Sequence, residues 1–430
     1  MTEPYELSAV EAARHIAAGS LTVEALTESC IARIEAREDA VRAWKYFDPA
    51  DARAQASALD TGPRRGVLHG LPFGVKDIID TATMPTGHGS PIYEGNRPAS
   101  DAPCVALSLQ SGGVLMGKTV STEFASRHPG ATRNPHNPSH SPGGSSSGSA
   151  AAVADRMVPL AFGTQTGGSV IRPAAYCGCI GYKPTYATIS AAGVKENTRS
   201  FDTVGLYART LDDIALFRAG VLAIDHEPLQ RPSVGDLRIA LCRTMFWDRA
   251  STATRSVIET AVDTLSGAGA TVSELTLEGP FEDYEALGKT VTGFEFPRAL
   301  TFERTHHADE LSEDLLEKRL KPGLEIGFET YQEALEQLAA CRRWLADAFA
   351  GFDAILTPSA PDEAPNGLGH TGDPCFNTLA TWTYTPAVTL PTVTGPRGLP
   401  IGVQLVGPHR QDVRLLEIAK AAFPVLSEEA

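Results

Sequence analysis

Three glycine-bordered segments carry residue types that together can perform nucleophilic chemistry on a carbonyl. Gly-Val-Lys-Asp occupies positions 74–77, Gly-Gly-Ser-Ser-Ser-Gly positions 143–148, and Gly-Thr-Gln-Thr-Gly-Gly-Ser positions 163–169. A serine at a glycine-rich turn from strand to helix is an exposed nucleophile, and the N–H groups of the turn can converge on a developing oxyanion. Serine needs a base to take its proton. A buried lysine serves when desolvation leaves it neutral near pH 7. A second serine placed between them relays the proton, because a hydroxyl both donates and accepts. Taken singly, each segment has a plainer reading: a solvated strand-end lysine, a flexible connector, a capped tight turn.

Competing patterns are weaker. Positions 144–148 match Gly-x-Ser-x-Gly with Ser146 as nucleophile, but a run of serines between glycines meets that pattern easily, and a polar loop precedes it where a strand is required. Neither glycine-rich segment has the Gly-Lys-Ser/Thr ending or the dinucleotide spacing of a phosphate-binding loop. A Ser–His–Asp arrangement would draw on His128, His136 or His140, which sit in or near a polar loop and read as solvated. His306 and His307 read as surface residues of a helical region. Cys177 and Cys179 form a Cys-x-Cys pair with no second pair nearby, which favours buried small residues over a metal site.

The elements that must position these residues follow from periodicity. Ser8 is predicted to cap a helix through residue 18 and Thr22 one through residue 37, with Leu26, Cys30, Ile31 and Ile34 at helical spacing. Strands are predicted at 71–75, 114–118, 158–162, 237–242, 271–275, 353–357 and 401–406, with helices at 102–109, 150–154 and 252–265. This alternation predicts an α/β fold with a mixed or mainly parallel sheet. Positions 132–148, crowded with Asn, Pro, His, Ser and Gly, read as loop. Positions 282–349, rich in Glu, Leu, Ala and Arg, read as a helical cap. No repeat or long linker divides the chain. It reads as one domain over 1–430, with an N-terminal helical segment (1–65), a catalytic core (66–240) and the cap (282–349).

Composition sets further bounds. With 430 residues, 42% hydrophobic and 21% charged, the chain has ample material for a core. A formal net charge of -15 argues against a general nucleic-acid surface and against attraction to anionic membranes, so neither partner is expected. The first residues lack the basic and apolar regions of a signal peptide, and no run is apolar for long enough to span a bilayer. Seven scattered cysteines then read as reduced thiols in a cytoplasmic protein.

The three segments, in this order and with their flanks, resemble the amidase signature family. Leu-His-Gly-Leu-Pro-Phe-Gly-Val-Lys-Asp (68–77) resembles its lysine segment and Gly-Gly-Ser-Ser-Ser-Gly its glycine–serine segment. Thr-Gly-Gly-Ser-Val-Ile-Arg-Pro-Ala (166–174), followed by Gly-Tyr-Lys-Pro-Thr (181–185), resembles its nucleophile segment. The stretches 386–391 and 399–404 also fit. The resemblance implies an amidase-signature fold, a mixed sheet flanked by helices on both faces. It implies Ser169 as the nucleophile that forms an acyl-enzyme, Ser145 after a cis peptide bond as the bridging residue, and Lys76 as the base. The N–H groups of Thr166, Gly167, Gly168 and Ser169 would form the oxyanion hole, with no metal or organic cofactor. The implied reaction is hydrolysis of a small amide, carbamate or urea-like molecule by water; the alternative is the glutaminase subunit of a tRNA-dependent amidotransferase. A homodimer is expected at the family level.

Departures from the family pattern are few. Gln165 stands where many relatives carry Asp, and Ile171 where many carry Arg, the arginine here being Arg172. Loss of both charges together is consistent with a neutral replacement. Tyr384 occupies a place where relatives often have Gly. Specificity is expected from 282–349 and 366–385, where Phe294, Phe296, Phe328, Trp382 and Tyr384 hint at an apolar pocket.

Overall fold

The structure, a computed structural model, describes residues 3–427. Among them eleven strands form one mixed sheet: β1 (Trp44–Phe47), β2 (Pro72–Lys76), β3 (Val114–Thr119), β4 (Leu160–Gln165), β5 (Ile180–Lys183), β6 (Thr203–Ala208), β7 (Arg238–Leu241), β8 (Thr271–Glu274), β9 (Ala354–Pro358), β10 (Ala387–Thr394) and β11 (Pro400–Val406). The spatial order is β1-β3-β2-β4-β6-β5-β10-β11-β9-β7-β8. Only β2 with β3, β2 with β4, β7 with β8 and β7 with β9 pair in parallel. The mainly parallel alternative is therefore set aside.

Burial accounts for three of the legible strands. Every residue of β2, β3 and β4 is buried, so each reads as a near-continuous apolar run covered on both faces. Strand β1 is an edge element with one buried and one exposed residue before its two half-buried ones. Strands β5 and β6 are buried throughout as well, and each carries one glycine (Gly181, Gly205) as β2, β3 and β4 do (Gly74, Gly117, Gly163), so neither feature sets them apart. None of these three was predicted, nor was β10.

The helices clothe the sheet. Ser8 caps Ala9–Ala17 in a reciprocal capping box with Glu11, and Thr22 caps Val23–Val41. The second helix buries Leu26, Cys30, Ile31 and Ile34, the residues at helical spacing. Positions 282–349 hold no strand; Tyr284–Ala299 and Phe328–Ala348 are the long helices there. Their buried side chains, Tyr284, Val291, Leu338 and Cys341 among them, form a cluster with Ile355 and Val406 of the sheet. Two buried carboxylates pin this region to the rest: Glu303 accepts from Lys195 at 2.5 Å and Tyr93 at 2.6 Å, and Glu123 accepts from the Ser312 hydroxyl. No described helix is long and apolar enough to cross a membrane.

Candidate active site

Strand β2 runs parallel to β4 with Val75 opposite Phe162, which brings the ends of both strands to one edge of the sheet. Ligand sites in α/β sheets gather at such strand ends. Lys76 is fully buried there, and its Nζ donates to Ser145 Oγ and Thr164 Oγ1, each at 2.7 Å. No carboxylate pairs with it among the described residues. Burial holds its pKa well below the ordinary lysine value, opposed by the negative charge of Asp202.

Ser145 follows Gly144 through a cis peptide bond and lies just before the helix Ser147–Ala154. That helix docks tightly, and Gly148 is where the fit is closest. A Cβ there would lie 2.2 Å from the Ala43 carbonyl oxygen and 2.4 Å from the Val120 nitrogen. Ser146 is buried, donating to the Thr164 carbonyl at 3.3 Å and accepting from the Thr164 N–H at 3.2 Å. It joins the loop to β4 and is no exposed nucleophile.

Beyond β4 the chain turns through Thr166–Ser169 into the helix Ile171–Cys177. Gln165 Oε1 accepts from the N–H groups of Val170 and Ile171 at 2.8 and 3.0 Å, and its Nε2 donates to Thr381 Oγ1 at 2.9 Å. The Thr381 hydroxyl in turn donates to the Gly167 carbonyl at 2.7 Å. Gln165 thus supports the turn through neutral hydrogen bonds. The N–H groups of Thr166, Gly167, Gly168 and Ser169 meet no acceptor among the described residues. Gly168 lies against Asn377, whose Oδ1 would be 2.2 Å from any Cβ added there.

Ser169 is half-buried and opens on a cleft of about 1040 Å³ that Thr166, Gly167, Gly168, Arg172 and Trp382 also line. The Tyr207 hydroxyl donates to its carbonyl at 3.1 Å. No hydrogen bond joins the Ser169 and Ser145 hydroxyls among the described residues. Arg172, 5% exposed, stands one turn beyond Ser169. Its Nη2 donates to the Gly144 carbonyl at 2.6 Å and Thr371 Oγ1 at 3.2 Å. Its buried Nε has no partner.

Other residues singled out in the sequence lie elsewhere. His136 bonds the Cys177 carbonyl, His307 bonds Glu310, and no histidine hydrogen-bonds Ser169 among the described residues. His128 lines the cleft. Cys177 and Cys179 donate to the carbonyls of Pro142 and Ala150. Of the five aromatic residues, only Trp382 lines the cleft; Phe294 and Tyr384 line a separate cavity of about 530 Å³, and Phe328 is 54% exposed. Residues not foreseen include Thr164, Thr381 and Asp202. Asp202 accepts from Thr166 Oγ1 at 2.5 Å and from the N–H groups of Asn197 and Thr198, and burial raises its carboxyl to about 7. Asp202 is a lone loop residue, and Thr164 in β4 and Thr381 in the helix Thr378–Trp382 carry no spacing that marks them.

Comparison with known proteins agrees with this geometry. The model of the Amidase family matches residues 25–416. A glutamyl-tRNA(Gln) amidotransferase subunit from Roseiflexus castenholzii (strain DSM 13941 / HLO8) is 34% identical over 472 aligned positions, covering 98% of this chain and 96% of the relative. A solved amidase superposes with a TM-score of 0.87 at 29% identity, covering 98% of this chain and 99% of its own. The peptide amidase of Stenotrophomonas maltophilia superposes with a TM-score of 0.83 at 28% identity, covering 99% and 98%. The name of the first relative refers to a tRNA and marks it as one part of a larger enzyme, which overturns the expectation of no nucleic-acid partner. That expectation came from the net charge of -15, an average over the whole chain that says nothing about local surfaces or further subunits. With the family model matched over most of its length and the fold shared with solved amidases, the chain belongs to the amidase family, has the amidase-signature fold and is a carbon–nitrogen hydrolase.

Proposed function

We propose that Lys76, Ser145 and Ser169 hydrolyse the amide of a substrate that carries a carboxylate close to the scissile bond. The observation that supports the carboxylate is Arg172. A buried guanidinium without a carboxylate is costly, and this one lies beside Ser169 with a free N–H. A substrate carboxylate would supply the missing charge and a bidentate partner.

In the proposed reaction the Ser169 hydroxyl attacks the amide carbon while its proton passes to Ser145 and the Ser145 proton to neutral Lys76. The N–H groups of the 166–169 turn receive the developing oxyanion. Lys76 returns the proton through Ser145 to the departing nitrogen, leaving ammonia or an amine and an acyl-Ser169 ester. Water then attacks the ester by the same relay in reverse, freeing the acid. The depressed pKa of Lys76 suits it to both directions.

Glutamine is one such amide, and the likeness to the Roseiflexus amidotransferase protein supports a glutaminase role within a tRNA-dependent amidotransferase. A second reading, an amidase that works alone on a small carboxylate amide, is favoured by length. The alignment needs 472 positions for a chain of 430 residues, so segments of the relative are missing here. Ammonia release from glutamine, from monoamides of dicarboxylic acids and from neutral amides of equal length tests the proposal. Carboxylate amides should be preferred, Arg172→Gln should abolish the preference, and Ser169→Ala should abolish turnover. Equal rates on neutral amides, or turnover by Ser169→Ala, would overturn it. Isolation from its native cell with other subunits separates the two roles.

A further inference from the structure

The cleft before Ser169 is cationic in a chain whose net charge is -15. Its lining holds three carboxylates, and each is already engaged. Glu285 pairs with Arg249 and Lys289, Asp373 with Arg249, and Asp314 with Lys318. Three lining guanidiniums, those of Arg172, Arg127 and Arg319, have no carboxylate partner among the described residues. Arg172 lies beside the nucleophile and is accounted for above; Arg127 and Arg319 are not.

Both are placed by unusual backbone. Arg127 follows Phe124 and Ala125, whose φ values of 46° and 54° lie in the left-handed region. Such values are rare for a bulky residue, and consecutive ones mark a constrained functional loop. Arg319 lies in a π-helical turn, Leu316–Leu320, an element that recurs at functional sites. Its guanidinium stacks over Phe296 at 4.6 Å, and Nη1 reaches Ser126 Oγ at 3.5 Å. Burial and the nearby charge of Arg127 hold its pKa down to about 10, so Arg319 stays charged near neutrality, and the two guanidiniums repel each other.

We propose that Arg127 and Arg319 form a second anion-binding position in the cleft, which receives a further anionic group of the substrate while Arg172 receives the first. The proposal builds on the carboxylate reading of Arg172, and makes the substrate an amide bearing two acidic groups. An anion between the two guanidiniums would convert their repulsion into paired attraction.

The test is calorimetric binding to full-length Ser169→Ala, using linear monocarboxylates and the dicarboxylates of equal chain length from three to six carbons. At least one dicarboxylate should bind about tenfold more tightly than its monocarboxylate, the scale of one charge-assisted hydrogen-bonded pair. That gain should vanish when Arg127→Gln and Arg319→Gln are combined, with monocarboxylate binding unchanged. Arg127→Gln alone, on an exposed side chain, should remove part of the gain without risk to folding. Repeating the best dicarboxylate with a phosphonate at one end shows which anion the position prefers. No gain for any dicarboxylate, or a gain that survives both substitutions, would overturn the proposal. Monocarboxylate binding that ignores Arg172→Gln would instead count against the proposed function, and is read separately.

Discussion

At the scale of single residues the proposed reaction depends on a buried amine kept uncharged. Lys76 donates to two hydroxyls and meets no carboxylate among the described residues, so burial drives its pKa down. Asp202 is the one charge that works against this, and it is itself buried, with its carboxyl raised to about 7. The ionised carboxylate stabilises the ammonium form of Lys76; removing it must lower the lysine pKa further. In the proposed reaction Lys76 acts as a base when neutral, so Asp202→Asn should move the acid limb of the kcat/KM profile to lower pH. The two groups titrate together, so the limb belongs to the pair. The amide can keep its oxygen on the N–H groups of Asn197 and Thr198, which share one carboxylate oxygen, and donate from its nitrogen to the Thr166 hydroxyl, so the fold should be kept. The measurement is the pH profile on a carboxylate amide, and a limb that stays or moves upward would sink the argument. Lys76, Ser145 and Ser169, the residues of the proposed reaction, stand out in the sequence because glycines and order mark them. Asp202 was not, because it acts across 36 residues through Thr166 and sits in an ordinary loop.

At the scale of elements the question is how a glycine-rich turn holds still. The peptide between Gly167 and Gly168 is planar and trans, so its C=O and N–H point in opposite directions. Thr381, in the short helix Thr378–Trp382, holds the Gly167 carbonyl at 2.7 Å. The Gly168 N–H is thereby aimed away from Thr381, free to meet an oxyanion. Gln165 completes the brace by donating to the same hydroxyl and capping the helix after Ser169. Thr381→Val keeps the shape and removes the hydroxyl. Loss of an oxyanion donor costs about 10²–10³ in kcat; loosening one should cost about tenfold to a hundredfold. The loss should fall on kcat with KM little changed, and Thr381→Ser should recover most of it. A change in KM alone would mean that Thr381 shapes the pocket and does not orient the turn. The sequence showed Gln165 as a departure, but its partner lies 216 residues away in a segment with no strand or cap signal. Pairing across the fold, and not the residue type, carries the function here.

At the scale of the whole molecule, three buried strands were readable, while the longest strand, β10, and the assembly were not. Strands β2, β3 and β4 announce themselves because both faces are covered, whereas the net charge of -15 misdirected the reading of partners. The N-terminal 65 residues illustrate a second gap. They read as a helical segment, yet they contribute the edge strand β1, which pairs with β3 through Trp44 opposite Thr119 and Phe47 opposite Gly117. The Ala43 carbonyl accepts from Val120 at 2.9 Å and packs against Gly148, at the start of the helix that follows Ser145. Arg33 and Arg37 both reach Asp155, at the end of that helix, at 3.1 and 2.9 Å. The segment therefore clasps both ends of the helix that follows Ser145, the bridging serine of the proposed reaction. Removing it would uncover β3, open a paired sheet edge and leave Asp155 as a buried carboxylate without a cation. Residues 66–430 alone should fail to give a soluble protein with a cooperative unfolding transition. The milder Arg33→Ala/Arg37→Ala pair should fold and lose about 1–3 kcal/mol, because the half-exposed arginines are screened while the carboxylate is not. Urea titration reads the second, and fluorophosphonate labelling of Ser169 reads the first. A soluble, cooperatively folded and labelled 66–430 would show that the segment is an accessory and not part of the catalytic fold.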